Sequence, residues 1–160
     1  MLGWVENIEQ ATLENRNFRT VLFTGTHSQL TVMSIPVAGE IRLEVHEDND
    51  QFLRIEQGKA KVEFGQEQDN LSESYDVEDD WAVIVPAGTW HNITNTGDTE
   101  LKVYSIYSPA HHPEGTVHRT KADADAARKK LVDAGAKAEI KEGESLPVAP
   151  NGAAGSTSQG

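Results

Sequence analysis

The chain has 160 residues, enough for one domain with its own core, and a formal net charge of −12 from 26 acidic and 14 basic residues. It contains no cysteine, which excludes disulfides, zinc–thiolate sites and cysteine nucleophiles. The acidic balance disfavours nucleic acid as a partner. No apolar run approaches the roughly 20 residues that cross a bilayer, and the N-terminus lacks the basic and apolar regions of a signal peptide. We therefore expect a cytoplasmic protein that binds neither nucleic acid nor membranes.

The hydrophobic pattern divides the chain into regions. In residues 1–18, apolar side chains at helical spacing predict a short amphipathic helix. Residues 19–110 contain many short runs with alternating polarity, separated by Gly, Asn and Asp, which predicts an all-β sandwich or barrel. Within this region, residues 41–45 alternate in polarity, and residues 81–85 have the apolar composition of a fully buried strand.

A second helix is predicted in a C-terminal extension of residues 111–140. Thr120 is placed to cap its N-terminus, with Asp123 three residues later, and Gly135 is placed to end it. The tail of residues 141–160 is rich in Gly, Ala, Ser and Pro and has little to bury, so we expect it to be disordered.

Four polar residues are placed where they can meet. Glu44 and His46 are two residues apart, so on a strand they share a face. Gln51 follows across a short turn and can lie close to His46 in a hairpin. His91 follows a Pro-Ala-Gly turn at residues 86–88 that ends the preceding apolar run. If these strands are neighbours, one carboxylate, two imidazoles and one amide oxygen converge.

The spacing of these residues resembles the two sequence motifs of the cupin superfamily. The first motif, G-x5-H-x-H-x(3,4)-E-x6-G, is matched by Glu44, His46, Gln51 and Gly58. The second motif, G-x5-P-x-G-x2-H-x3-N, is matched in every spacing by Asp80, Pro86, Gly88, His91 and Asn95. Four positions differ from the usual pattern: Glu44 replaces a histidine, Gln51 a glutamate and Asp80 a glycine, and Gly39 lies one residue too close to Glu44.

The resemblance covers about residues 21–108 and implies a single-domain β-barrel, a jelly roll of two antiparallel sheets with a metal inside. It also implies a homodimer formed through the sheets. The metal ligands would be Glu44, His46, Gln51 and His91. One carboxylate, one amide oxygen and two imidazoles favour Mn, Fe or Ni over Zn or Cu.

The function that follows is a metal-dependent enzyme acting on a small organic molecule. Dioxygenase-like oxidoreductase chemistry is favoured, because two histidines and one carboxylate with open positions are typical of non-heme iron oxygenases. Isomerase or lyase chemistry is the alternative, since similar small cupins carry labels such as mannose-6-phosphate isomerase-like. A non-catalytic ligand-binding module and a sensor without a DNA-binding element are further alternatives. Glu44 can serve as a ligand, as the catalytic general base, or as a hydrogen-bond acceptor for a ligating imidazole.

Simpler interpretations of single residues stay open. Taken alone, His91 can be a turn histidine and His46 can lie on a solvated strand face. The segment of residues 111–118 is rich in histidine, but its Pro and Gly residues disfavour a second metal site; it can cover the barrel mouth and bring His118 or Arg119 near it. Candidate substrate-pocket residues are Arg42, Phe52, Leu53, Ile93, Tyr104 and Tyr107.

Overall fold

The computed structural model describes residues 2–133, without the side chains of residues 131 and 132. Within this range, two helices and nine strands follow one another: α1 Ile8–Glu14, β1 Arg19–Thr24, β2 Gln29–Ile35, β3 Asp50–Gln57, β4 Lys59–Gly65, β5 Glu73–Glu78, β6 Ala82–Val85, β7 Trp90–Asn95, β8 Leu101–Ser108, β9 Val117–His118 and α2 Lys121–Asp133. The predicted helix end at Gly135 and the predicted tail of residues 141–160 lie outside the described range. Neither of the two helices is long and apolar enough to cross a membrane.

The strands form two antiparallel sheets. One has six strands in the order β6-β3-β8-β2-β1-β9, and the other has three in the order β5-β4-β7. Their apolar faces form one core, so the predicted all-β jelly roll of two sheets is confirmed. The two short helices are also present, each with a side-chain cap. Asn7 Oδ1 accepts from the backbone N–H of Gln10 at 3.0 Å, and Thr120 Oγ1 accepts from that of Asp123 at 3.1 Å.

The interior of the six-stranded sheet changes from apolar to polar along its strands. At one end, Met33, Val103 and Ile55 lie opposite one another on β2, β8 and β3, and all three are buried. Four residues further along β8, Tyr107 lies between Gln29 of β2 and Gln51 of β3, again all buried. The apolar half provides the hydrophobic contribution to folding, whereas the polar half collects side chains that need partners.

The predicted fully buried strand at residues 81–85 is wrong in its burial. Strand β6 begins at Ala82 and alternates, with Val83 and Val85 buried, whereas Ile84 is 63% exposed and Trp81 is 51% exposed. The physical reason is position, because β6 is an edge strand of the six-stranded sheet and packs against the core on one face only. A run of five apolar residues does not distinguish this case from two-sided burial.

Residues 41–45 form a bulged segment instead of the predicted regular strand. The segment pairs with β7, where the Ile41 N–H donates to Ile93 O at 2.9 Å and the Glu44 N–H donates to His91 O at 3.0 Å. Three residues on this segment thus span two on β7, which leaves one residue extra. There the Arg42 N–H donates to the Asn92 side chain at 3.2 Å. A bulge of this kind redirects the side chains beside it.

Candidate metal centre

The bulge and the Pro-Ala-Gly turn bring the two sequence motifs into contact. Glu44 lies directly opposite His91, and each donates its backbone N–H to the carbonyl oxygen of the other. Gly88 has a φ of +80°, which glycine adopts without strain, and its N–H donates to His46 O at 2.8 Å. The turn therefore fixes the backbone of His46 as well as the start of β7.

Three candidate ligand atoms converge inside the barrel. One atom from each of Glu44, His46 and His91 lies within 4.8 Å of the other two. Glu44 Oε1 is 3.3 Å from His46 Nε2 and 3.9 Å from His91 Nε2. His46 and His91 are 3% and 4% exposed, and Glu44 is 9% exposed. The interpretation of His46 as a residue on a solvated strand face is therefore wrong.

Each imidazole has a nitrogen available for a ligand. His91 Nδ1 lies 2.9 Å from Thr89 O, and because a carbonyl oxygen only accepts, Nδ1 carries the proton and Nε2 has a free lone pair. A backbone carbonyl bound to the other ring nitrogen is the usual way to orient a ligating histidine. Both nitrogens of His46 are buried and make no hydrogen bond, since the contact with Glu44 lacks hydrogen-bond alignment.

The protonation states also suit a cation. Burial raises the pKa of Glu44, but its interaction with His46, and less strongly with His91 and His111, outweighs burial and holds its pKa well below the usual value. Burial lowers the pKa of His91, partly opposed by the charge of Glu44. An ionised carboxylate and a neutral imidazole are the forms that bind metal ions.

Gln51 presents an open amide oxygen at the same end of the barrel. It is 3% exposed, and its Nε2 donates to Ser105 Oγ at 2.9 Å. Its Oε1 is buried without a hydrogen-bond partner. On β8, its neighbour Tyr107 has its ring centroid 5.6 Å from that of His46. The orientation fits a ligand role, and Gln51 as a fourth ligand stays a prediction.

His111 is a buried member of this site that the sequence did not reveal. Its ring centroid is 4.4 Å from that of His46, it is 5% exposed, and its Nδ1 has no hydrogen-bond partner. His112 continues the row, with its ring centroid 4.6 Å from that of His111. The sequence pattern disfavours a second metal site in residues 111–118. In the structure, His111 and His112 of this segment extend the row that starts at His91 and His46.

A buried glutamine holds this histidine pair over the barrel. Gln29 is 1% exposed, and its Oε1 accepts from the backbone N–H groups of His111 and His112 at 3.0 and 2.8 Å. Its Nε2 donates to His112 O at 2.7 Å. The only sequence signal for this arrangement was a polar residue at an inward position of β2, and its partners lie more than 80 residues away.

A cleft leads from the protein surface to the cluster. Its volume is about 120 Å³, room for roughly eight to ten water molecules. Glu44 and His111 lie on its wall beside Arg19, Arg42 and His118. The segment of residues 111–118 therefore does border the mouth.

The remaining predicted residues separate into three groups. Arg42 lines the cleft, and Tyr107 lies at the cluster. Leu53 and Ile93 belong to the apolar core. Phe52 and Tyr104 contact each other, with ring centroids 6.2 Å apart, on the face of the six-stranded sheet that points away from the core, so their prediction as pocket residues is wrong. Arg119, predicted near the mouth, is exposed.

The donor set fits a divalent transition metal. Bonds of about 2.0–2.2 Å from nitrogen and oxygen ligands to one ion keep ligand atoms within the separations found here. Both nitrogens of His46 and the amide oxygen of Gln51 are buried without a hydrogen bond. Such groups are costly unless a ligand satisfies them, and a bound cation satisfies them directly.

A two-sheet jelly roll whose interior presents two histidines and a carboxylate defines a class of small metal-binding barrels. A family model described as a cupin domain matches residues 31–107, and this chain belongs to the cupin superfamily.

Three relatives show how close the resemblance is. The uncharacterized protein YrkC of Bacillus subtilis (strain 168) is 56% identical over 124 residues, which are 78% of this chain and 67% of YrkC. The uncharacterized protein L612 of Acanthamoeba polyphaga mimivirus is 41% identical over 115 residues, 71% of this chain and 70% of L612. The crystal structure of BH2720 from Bacillus halodurans is 55% identical, with a TM-score of 0.76, and the match covers 77% of this chain and 93% of that one.

Proposed function

We propose that the protein is a metal-dependent cupin enzyme that acts on a small organic molecule, with dioxygenase-like chemistry. The observation that supports this most strongly is the convergence of Glu44, His46 and His91 beside a small cleft, with Glu44 on its wall. Two imidazoles and one carboxylate leave coordination positions for other molecules, which is the arrangement of non-heme iron oxygenases. Isomerase or lyase chemistry at the same centre is the alternative.

Each residue has a role in this proposal. His46 and His91 hold the ion through their unprotonated nitrogens, Glu44 holds it through Oε1, and Gln51 adds its amide oxygen. A bound divalent ion supplies Lewis-acid chemistry or dioxygen activation. Because Glu44 also lines the cleft, it is placed to accept a proton from a substrate.

Tyr107 adds a hydrogen-bond donor to the site. It is 1% exposed, and burial raises the pKa of its hydroxyl above the usual value. The hydroxyl therefore stays protonated at neutral pH. Its hydroxyl contacts His112 Nε2 at 3.4 Å and interacts with Ser105, so we expect it to orient the histidines beside the metal centre.

The test is turnover by protein loaded with Fe²⁺ or Mn²⁺. The probes are a panel of small organic acids, sugars and carbonyl compounds. Oxygen uptake is followed with an electrode, and parallel incubations without oxygen are analysed by NMR. We expect oxygen uptake with at least one probe, lost in His91→Ala and retained in His27→Ala, because His27 is exposed on a loop. Conversion without oxygen would favour the isomerase or lyase alternative. No conversion by fully loaded protein would favour the ligand-binding module.

The homodimer stays a prediction, and so does the cytoplasmic location. The face it would use is the outer side of the six-stranded sheet near β6, where Trp81 and Ile84 are exposed. Light scattering after gel filtration would support it with twice the chain mass of 17.5 kDa and contradict it with a single chain mass.

A further inference from the structure

Arg19 is a buried cation without an anionic partner in the described part of the chain. It begins β1, is 7% exposed, and lines the cleft. Its Nε has no hydrogen-bond partner. Among residues 2–133, no carboxylate lies within ion-pair distance of its guanidinium, whose polar contact is His118 Nδ1 at 3.4 Å. A buried charge that is left unpaired is strongly unfavourable, so an anion is the expected partner.

Arg54, which lies outside the cleft, provides a comparison with Arg19. It lies on β3, on the outer face of the six-stranded sheet, and contacts the carboxylates of both Glu56 and Asp80. Arg54, the more exposed of the two arginines, thus pairs with two carboxylates. Arg19, which is buried and lines the cleft, pairs with none among the described residues. The chain has 26 acidic residues, yet none of those in the described part of the chain lies within ion-pair distance of Arg19.

The cleft is positive although the chain as a whole is negative. Its charged lining residues are three arginines and two carboxylates: Arg19, Arg42, Arg128, Glu44 and Asp125. The excess of one positive charge contrasts with the formal net charge of −12. The three lining histidines do not add to it near neutral pH, because burial is the largest cause that lowers the pKa of His111, His112 and His118, and the charge of Arg19 lowers each further.

Arg19 and the metal centre border the same cleft, so one small molecule bound there can contact both. Arg19 and Glu44 line one cavity of about 120 Å³, which suits a molecule of roughly ten non-hydrogen atoms at most. A guanidinium binds a carboxylate through two parallel N–H groups, and the buried Nε of Arg19 has no hydrogen-bond partner.

We propose that Arg19 forms an anion subsite that binds the carboxylate of a small monocarboxylic substrate, with the rest of that substrate directed to the metal centre. Arg42 assists through its charge alone, because its Nη1 lies 3.3 Å from Asp125 Oδ1. The inference rests on the proposed function, since it names the substrate class of the same site. In the metal-free cleft, the state in which the probes below are compared, the single excess positive charge matches a carboxylate better than a dianionic phosphate.

The test uses the Arg Nε–H signals in ¹H–¹⁵N NMR spectra of the full chain in EDTA, so that it does not depend on metal loading. The probes are butanoate, its neutral analogue butanamide, and inorganic phosphate. We expect butanoate to shift the signal that Arg19→Gln removes, with butanamide giving no shift and phosphate binding more weakly. Butanoate affinity, followed on backbone amides, should fall at least tenfold in Arg19→Gln, as expected for loss of a charge-assisted hydrogen bond.

Two further variants keep the result interpretable. Arg16→Gln makes the same substitution three residues away at an exposed arginine, and it should bind butanoate like the unchanged chain. Arg42→Gln should weaken binding by a smaller factor, and it replaces Arg19→Gln as the test if that variant loses its dispersed spectrum. Equal shifts with butanoate and butanamide, tighter binding of phosphate, or unchanged affinity in the cleft variants would overturn the proposal. Failure of metal binding or turnover would leave these spectra unchanged, so the two proposals fail separately.

Discussion

Two buried polar regions of the barrel differ in how fully their hydrogen bonds are made. Asn95, at the end of β7, is 2% exposed; its Nδ2 donates to three carbonyl oxygens at 2.9–3.2 Å, and its Oδ1 accepts from Gly97 N at 2.9 Å. His46 is as deeply buried, but neither ring nitrogen makes a hydrogen bond. Both residues belong to the sequence motifs, but the side chain of Asn95 has hydrogen-bond partners for its polar atoms and that of His46 has none.

The difference separates structure from function. A buried polar group with all its hydrogen bonds made stabilises a fold, whereas one left open costs stability and requires another explanation. The open groups are concentrated at one end of the interior, where Gln51 and His111 accompany His46. We infer that the satisfied asparagine holds two loops together and that the open cluster is kept for a ligand.

The largest expected effect is a loss of stability when Asn95, the residue with its hydrogen bonds made, is replaced. Asn95→Ala should lower the free energy of unfolding by about 3 kcal/mol or more, because several buried carbonyl groups and the Gly97 N–H lose their partner. Urea unfolding measures the loss. Metal binding by the folded fraction should persist, and a loss below about 1 kcal/mol would remove the contrast between the two regions.

Gly88→Ala should have an intermediate effect. A φ of +80° costs an L-residue about 1–2 kcal/mol, and a Cβ there has nothing closer than Glu47 Oε2 at 3.8 Å, so conformational strain alone should set the loss of stability. Because the Gly88 N–H bonds to His46 O, metal affinity should fall as well. Gly115→Ala is the matched control, since it shares the positive φ on an open loop far from the motif turn. Similar strain without any change in metal affinity is expected there.

Acidification should destabilise the metal-free protein. Burial, together with the charge of His46, lowers the pKa of His111, and burial also lowers the pKa of His91. Below about pH 6.5 the unfolded chain therefore binds protons that the folded chain does not, and stability falls as the pH falls. The loss is at most about 1.4 kcal/mol per imidazole for the first pH unit.

Urea unfolding in chelator between pH 8 and pH 5.5 measures this slope. Glu44 adds a loss of the same sign at lower pH, because its pKa is also held below the usual value. His111→Gln should flatten the slope above pH 5.5. A stability that rises on acidification would contradict the assignment of His91 and His111 as neutral in the fold.

The smallest expected effect is that of His46→Leu. It should change the stability of the metal-free protein by less than about 1 kcal/mol, because the gain from replacing an open buried imidazole is offset by the loss of its interaction with the Glu44 carboxylate. The same variant should bind no transition metal, as measured by elemental analysis. A loss of stability comparable to that of Asn95→Ala would show that His46 is a structural residue.

Much of the fold followed from local patterns. The β-rich region, the cap at Thr120, and the turn that leads into His91 were all predicted, because turn residues and alternation depend on neighbours in sequence. Strand β5 was not predicted, because Tyr75 and Val77 are its only apolar residues, and of these only Val77 is buried. The burial of residues 81–85 was wrong, because edge position is a property of the sheet.

The site residues placed by motif spacing could be predicted from the sequence. Those placed by contacts between residues far apart in the sequence could not. Glu44, His46 and His91 converge as their spacing indicated. His111 does not follow from spacing, because a glutamine far away in sequence, Gln29, holds its backbone over the barrel. The irregular pairing of residues 41–45 was also missed, since an Asn92 side chain replaces a backbone partner there.

The most direct measurement is an anomalous-scattering map from crystals grown in Mn²⁺ or Fe²⁺ without chelator. The account predicts one ion within about 2.0–2.3 Å of a nitrogen of His46, a nitrogen of His91 and a carboxylate oxygen of Glu44. An ion bound elsewhere in the molecule, or no ion in this cluster in metal-loaded crystals, would contradict it.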